Sequence, residues 1–164
     1  MAISQSFPIS SIDALLEAVP KIISEEIIRA FSYLGEQCVK RIRDRAGEDS
    51  WFDQTGNLRS SIGYAVIESG RKIIESAFPV VKKGTEGAEE GRKMIDELAS
   101  KYADTYAIVV VAGMEYAEYV EAMKGKDVLA STEIWAKSQM QTYIDKALQR
   151  ADKRIAALQK KLGL

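Results

Sequence analysis

Apolar side chains recur every three or four residues near both ends of this chain, and this spacing predicts two long helices. The first helix is expected from Lys21 to about Arg45, with Gly47 after it as a stop signal. A shorter helix, capped by Ser10 or Ser11, is expected before it. Pro20 would then kink that helix or open the longer one. Residues 1–10 are expected to form a flexible arm.

The C-terminal helix is expected from about Ser131 to Leu162. Its apolar positions alternate spacings of four and three, which predicts a short heptad seam: Ile144, Leu148, Ala151, Ile155, Leu158 and Leu162. Leu148 and Ile155 are therefore candidates for an interface between two helices, or for an intramolecular core. The basic residues of this helix scatter around it without interleaved aromatic side chains, so they favour a solvated face over a nucleic-acid site.

The middle of the chain is rich in residues that favour strands. Residues 64–68 and 72–78 flank Ser69-Gly70-Arg71, which predicts a hairpin. The continuous apolar run 107–112 predicts a strand that is buried on both faces. Three strands between helices predict an α+β fold, with a long N-terminal helix, a small and mainly antiparallel sheet, and a long C-terminal helix.

A glycine-containing segment separates the hairpin from the last strand. Residues 82–91 are expected to form a loop and residues 92–102 a helix, so 82–103 is interpreted as a loop–helix insertion between strands. The loop lacks the Gly-Lys-Ser/Thr order of a phosphate-binding loop, and its glutamates would repel phosphate. The whole chain, 1–164, is expected to form one domain.

Composition argues against most catalytic chemistry. The chain has no histidine and one cysteine, Cys38, which lies in register with the apolar face of the first helix and is expected in the core. Glu115, Glu118 and Glu121 lack the Asp, Asn and glycine turn that accompany them in calcium sites, so a solvated face or a subunit contact is favoured. We therefore expect no enzyme activity, no cofactor and no metal.

Charge and hydropathy give further expectations about partners and location. With 23 Lys+Arg against 24 Asp+Glu, the net charge of −1 gives no general attraction to nucleic acid or to anionic lipid. The sequence lacks an apolar run of about 20 residues, the length of a membrane span. It also lacks the basic and apolar blocks of a signal peptide at its start. We expect a protein made and used in the cytoplasm, or carried in a particle assembled there.

Two adjacent aromatic residues lie in the polar, glycine-flanked segment 47–57. Exposure of Trp51 and Phe52 would be costly, so either the segment folds back and buries them or they anchor a partner. Both alternatives stay open at this stage.

The next residues carry a family resemblance. Residues 53–62 read D-Q-T-G-N-L-R-S-S-I, and residues 116–121 read Y-A-E-Y-V-E. These segments, with the apolar strand between them, resemble the tail-completion or head–tail joining (neck) proteins of tailed bacteriophages. The matching positions are Asp53, Thr55, Gly56, Leu58, Arg59, Ser61, Ile62, Tyr116, Ala117, Val120 and Glu121. The sequence departs from the family after Glu121, where Ala122-Met123-Lys124-Gly125 replaces the usual aromatic residue and glycine.

The resemblance implies a structural role without catalysis. Members of this family are ring-forming adaptors, commonly hexameric, that bind portal or connector proteins and tail-tube proteins. The implied location is the bacterial cytoplasm during assembly and then the neck or tail of the virion. The alternative from the residues themselves is a helical regulatory or interaction module that dimerises through the C-terminal helix.

Overall fold

The structure is a computed structural model, and it describes residues 6–45 and 51–164. It contains two long helices, three short ones and a three-stranded antiparallel sheet within those ranges, and so confirms the α+β class. Of the expected flexible arm, residues 1–5 lie outside the described ranges, and residues 6–8 have no helix or strand. Residues 46–50, which include the first part of the polar segment 47–57, also lie outside them.

The N-terminal helix, α1, runs without interruption over Ile9–Asp44 and contains Pro20. The alternative in which a separate helix starts at Pro20 is therefore wrong. Proline removes a single backbone donor, and the helical dihedral angle of its ring suits a helix. Both Pro20 and Leu16, whose carbonyl loses its partner, are exposed, so water can satisfy that carbonyl.

The sheet has the strand order β2-β1-β3, formed by Ile62–Glu68 (β1), Arg71–Glu75 (β2) and Tyr106–Ala112 (β3). The predicted hairpin is confirmed, and its turn residues Ser69 and Gly70 have φ angles of 49° and 75°. Such left-handed angles fit the right-handed twist of a two-residue hairpin. The second strand ends before the predicted Phe78, whose ring is buried in the core instead.

The position of β3 differs from the prediction of a strand buried on both faces. It lies at an edge of the sheet, and its burial alternates in part along the strand. The central strand, β1, is the one buried over nearly its whole length. An apolar run alone does not tell a central strand from an edge strand that is covered by helices.

A fifteen-residue helix, α3, covers Thr85–Ala99 and is followed by a 3-10 turn at Ser100–Tyr102. The prediction of a loop over residues 82–91 is therefore wrong for most of that range. Gly87 and Gly91 lie inside the helix because they let it approach other backbone closely. A Cβ at Gly87 would clash with the carbonyl oxygen of Asn57, and one at Gly91 with the ring of Phe78.

The remaining elements are short helices α2 at Asn57–Ser60 and α4 at Ala117–Ala122, and the long C-terminal helix α5 at Ala130–Leu162. The predicted C-terminal helix is confirmed to within one residue at its start. No helix formed by the described residues is both long and apolar enough to cross a membrane.

The chain, which we expected to form one domain, divides into two compact units. One comprises residues 1–30 and 142–164, and the other residues 31–141. In the larger unit, α3 packs on one face of the sheet, around Ile95, Val109 and Val111. On the opposite face, the ring of Tyr64 covers Gly35 of α1. In the smaller unit, ion pairs connect Glu25 and Glu26 to arginines of α5.

Candidate docking groove

The first family-like segment forms a tight corner that leads from the loop into β1. The Asp53 carboxylate accepts a hydrogen bond from the Gly56 amide at 3.0 Å, and the Thr55 hydroxyl accepts one from the Asn57 amide at 3.2 Å. Gly56 has a φ of 91°, and a Cβ there would clash with the Val81 carbonyl oxygen. Gly56 lies at the capping position of α2, with Thr55 one residue before it.

The second half of this segment is buried. Leu58 is 2% exposed, and Ser61 and Ile62 are fully covered. The Ser61 hydroxyl donates to the Leu58 carbonyl at 2.8 Å, and Arg59 donates to the Arg43 carbonyl at 2.5 Å. These residues hold the corner against α1 and the start of β1, which is a structural role.

The second family-like segment, residues 116–121, comprises Tyr116 and most of α4. Ala117 is buried against the rest of the unit. The Glu121 carboxylate accepts hydrogen bonds from the amides of Val128, Leu129 and Ala130 at 2.8, 2.7 and 3.1 Å. Glu121 thus satisfies backbone donors at the start of α5, where a negative charge also complements the helix dipole. Sequence reasoning missed this contact and had interpreted the carboxylate as solvated or as part of a subunit contact.

The two segments meet at one groove, which we call the motif groove. It encloses about 470 Å³ and is lined by residues of both segments, by their neighbours Phe52 and Met114, and by Glu86 of α3. The segment residues are Asp53, Gln54, Thr55, Asn57, Leu58, Tyr116 and Val120. Burial raises the pKa of the Tyr116 hydroxyl, and hydrogen bonds with the Thr55 side chain and the Leu58 backbone partly offset that rise. Tyr116 is therefore the residue that joins the two segments.

The edges of the motif groove are acidic and aromatic. Glu86 accepts a hydrogen bond from the Asn57 side chain at 2.8 Å, and with Asp53 it gives this region two carboxylates. Phe52 is 72% exposed, and Tyr116, which also lines the groove, is 39% exposed. Large aromatic side chains at the edge of a groove are the residues that most often anchor a protein partner.

The candidate interface residues take different positions. Trp51 is fully buried, as expected if the segment folds back on the core, whereas its neighbour Phe52 is exposed. On α5, Leu148 is 40% exposed and Ile155 is half-buried, while Ala151 between them is buried. The seam is therefore only partly covered within its own unit.

The structure also shows the surroundings of the residues that were candidates for catalysis or metal binding. Cys38 is buried as predicted, and burial raises the pKa of its thiol to about 11. Within residues 6–45 and 51–164, no group of three or more His, Cys, Asp or Glu side chains is arranged to hold a metal ion.

Comparison with known proteins gives no further guide. No protein-family model, no curated protein and no solved structure matches this chain.

Proposed function

We propose that this protein is a structural assembly protein of a tailed phage or prophage, which acts in tail completion or head–tail joining. The observation that supports this proposal is the motif groove. Residues 53–62 and 116–121, which resemble the family signatures, lie more than fifty positions apart in sequence but share one groove through Tyr116, Thr55 and Leu58.

The chemistry of the motif groove favours contact with a protein. Its polar side chains largely serve the fold: Asp53 and Thr55 bind nearby backbone amides. Among the residues that line it, the exposed aromatic side chains are Phe52 and Tyr116, at 72% and 39%. Exposed aromatic side chains around a rigid corner suit a docking surface better than a site for a small polar substrate.

The proposal gives the chain the partners that the family resemblance implies. Copies of the chain assemble head to tail in a ring, which in this family is commonly hexameric, and the ring binds portal or connector proteins and tail-tube proteins. It acts in the bacterial cytoplasm during assembly and stays in the neck or tail of the virion. The proposal includes no catalytic step, no cofactor, and no specific nucleic-acid or membrane contact.

One observation favours the alternative of a helical module. Leu148 lies in the heptad seam of α5 and is 40% exposed, so a second helix could cover it. This alternative predicts a dimer that Leu148→Glu abolishes without unfolding the chain. If Leu148→Glu leaves the association state unchanged, the seam plays no part in assembly.

Deletion of the gene from its phage or prophage tests the proposal. After induction, electron microscopy should show separate heads and tails. Purified protein added to that lysate should then restore infectious particles. Normal yields of joined, infectious particles from the deletion strain would overturn the proposal.

A further inference from the structure

The edge of β3 that faces away from β1 is flanked by α3 on one side and by the start of α5 on the other. Two cavities, of about 570 and 480 Å³, follow this edge and share Leu98 of α3, Val110 of β3 and Leu129, which precedes α5. We call the combined depression the edge trough. Met114 lines both the edge trough and the motif groove, but the other residues that line the two depressions differ.

The register of the sheet shows which backbone groups face the edge trough. Gly113 donates to the Ser61 carbonyl at 3.2 Å, and Ser69 donates to the Thr105 carbonyl at 3.1 Å. Because backbone groups alternate in direction along a strand, the odd-numbered residues of β3 pair with β1. Ile108 and Val110 therefore direct their N–H and C=O groups outward.

An open edge of this kind is a template for another strand. Among the described residues, no further strand pairs with the outer side of β3. Backbone groups at such an edge gain hydrogen bonds when an extended peptide adds to the sheet. The side chains of that peptide would alternate between the two walls of the trough. Met94 and Leu98 line one wall, and Leu129, Ala136 and Met140 the other.

The charges around the edge trough define what it can accept. Glu115 and Glu118 lie at one end. At the other end Glu133 is paired with Lys137 at 2.5 Å. Between these ends the walls are apolar apart from Thr132 and from Glu121, whose carboxylate is bound to backbone amides. The matching strand is therefore uncharged and carries apolar side chains.

The beginning of this chain has that character. Residues 1–12 contain no charged side chain, and Ile3, Phe7 and Ile9 alternate with smaller or polar residues. Phe7 is 45% exposed, so it is not fully covered within its own copy. Pro8, which has no N–H, follows Phe7 directly, so its missing donor would face away from β3 when Phe7 pairs.

We propose that the segment preceding α1 of one copy adds as a strand to the β3 edge of a second copy, with Phe7 in the edge trough. The inference rests on the proposed function, because it supplies the head-to-tail contact between neighbouring subunits. Donor segment and acceptor edge are different surfaces, so each subunit can give one and receive one, as ring closure requires.

Amide hydrogen exchange of the full chain, followed by NMR across a concentration series, tests this inference. Native mass spectrometry of the same samples reports the association state. As oligomers form, the amides of Ile108 and Val110 should exchange at least about tenfold more slowly, whereas those of Val109 and Val111, already paired with β1, should change little. Phe7→Ser should remove the added protection, and Leu16→Ser, at an exposed position of α1, should retain it.

A second measurement covers the case in which Phe7→Ser simply prevents association. A synthetic peptide of residues 2–9, added to the Phe7→Ser protein, should slow exchange at Ile108 and Val110. Oligomers whose Ile108 and Val110 amides still exchange rapidly would overturn the inference and leave the proposed function intact. The inference would also be overturned if protection of these amides did not depend on protein concentration, or if the protein stayed monomeric at every concentration. The proposed function is judged separately, by restoration of infectivity in the deletion lysate.

Discussion

Glu26 accepts a hydrogen bond from Arg150 at 2.8 Å, although 124 positions separate the two residues in sequence. Arg154 donates to the other carboxylate oxygen of Glu26 at 2.9 Å. The Glu26 side chain is only 1% exposed, so its charge depends on these two arginines and on Arg29, whose guanidinium lies 3.3 Å from the carboxylate. The smaller compact unit is therefore held together partly by a buried carboxylate.

This arrangement predicts how stability depends on pH. The Arg150 hydrogen bond lowers the pKa of Glu26 below its ordinary value of 4.5, against the opposing effect of burial. Because the pKa of Glu26 is lower in the folded state than in the unfolded state, the ionised carboxylate stabilises the protein fully at pH values above its ordinary pKa. That stability is lost as the pH falls through the lowered pKa of the folded state. Urea unfolding at a series of pH values should show a decline below about pH 4.5 that is shallower in Glu26→Gln.

The same substitution should also weaken the protein at neutral pH. Glu26→Gln should lower the free energy of unfolding by about 2 kcal/mol, because it removes charged hydrogen bonds from a buried site. Glu25→Gln is the matched control: Glu25 pairs with Arg154 at the surface, and its loss should cost less than about 1 kcal/mol. Equal effects of the two substitutions would contradict this account of the site.

Cys38 should react slowly in the native protein. Burial raises its pKa to about 11 from an ordinary 9.0, which reduces the thiolate fraction about a hundredfold near neutral pH. Alkylation by iodoacetamide at about pH 8 should therefore be at least about a hundredfold slower in the folded than in the urea-unfolded protein. Similar rates in the two states would show that the thiol is accessible.

Gly87→Ala should destabilise the protein even though alanine is the better helix former. Alanine is favoured over glycine in an exposed helix by about 1 kcal/mol. At Gly87, however, the added methyl group would clash with the Asn57 backbone, and α3 would have to move away from α2. We expect a net loss of about 2 kcal/mol in urea unfolding. Glu89→Ala, at an exposed position of the same helix, should change stability by less than about 0.5 kcal/mol.

Arg45→Lys should weaken the connection between the end of α1 and the start of α5. Arg45 donates to the Asp127 carboxylate, the Val128 carbonyl and the Thr132 hydroxyl at 2.7, 3.0 and 2.9 Å. The single ammonium group of a lysine cannot donate to all three acceptors as the planar guanidinium group does. The free energy of unfolding should therefore fall by about 2 kcal/mol, seen as a lower midpoint of urea unfolding. An unchanged midpoint would mean that these bonds add no net stability.

Much of the fold could be predicted from the sequence because its signals are local. Apolar spacing identified α1 and α5, and Ser69-Gly70 between β-prone runs identified the hairpin. The error at α3 has a tertiary cause: glycine usually marks a loop, but Gly87 and Gly91 serve close backbone contact. Similarly, Pro20 was compatible with a continuous helix because its side of α1 is exposed.

The candidate site was predictable only in part. The residues of both family-like segments could be identified, but their meeting at Tyr116 depends on packing between distant parts of the chain. The Glu121 contact with three amides was missed, because it depends on how α4 places its side chain beside the start of α5. The apolar spacing of α5 predicts where that helix starts, but it does not reveal which carboxylate binds these amides.

The most direct measurement counts infectious particles after wild-type or variant protein is added to a deletion lysate that contains separate heads and tails. Wild-type protein and Ile134→Ser, changed at an exposed residue of α5 outside the motif groove, should restore infectivity. The variant Phe52→Ser, once shown to be folded by circular dichroism, should restore at least about tenfold less, because it lacks the most exposed aromatic side chain that lines the groove. Full restoration by this variant would contradict docking at the motif groove. Joined, infectious particles without any added protein would contradict the central claim.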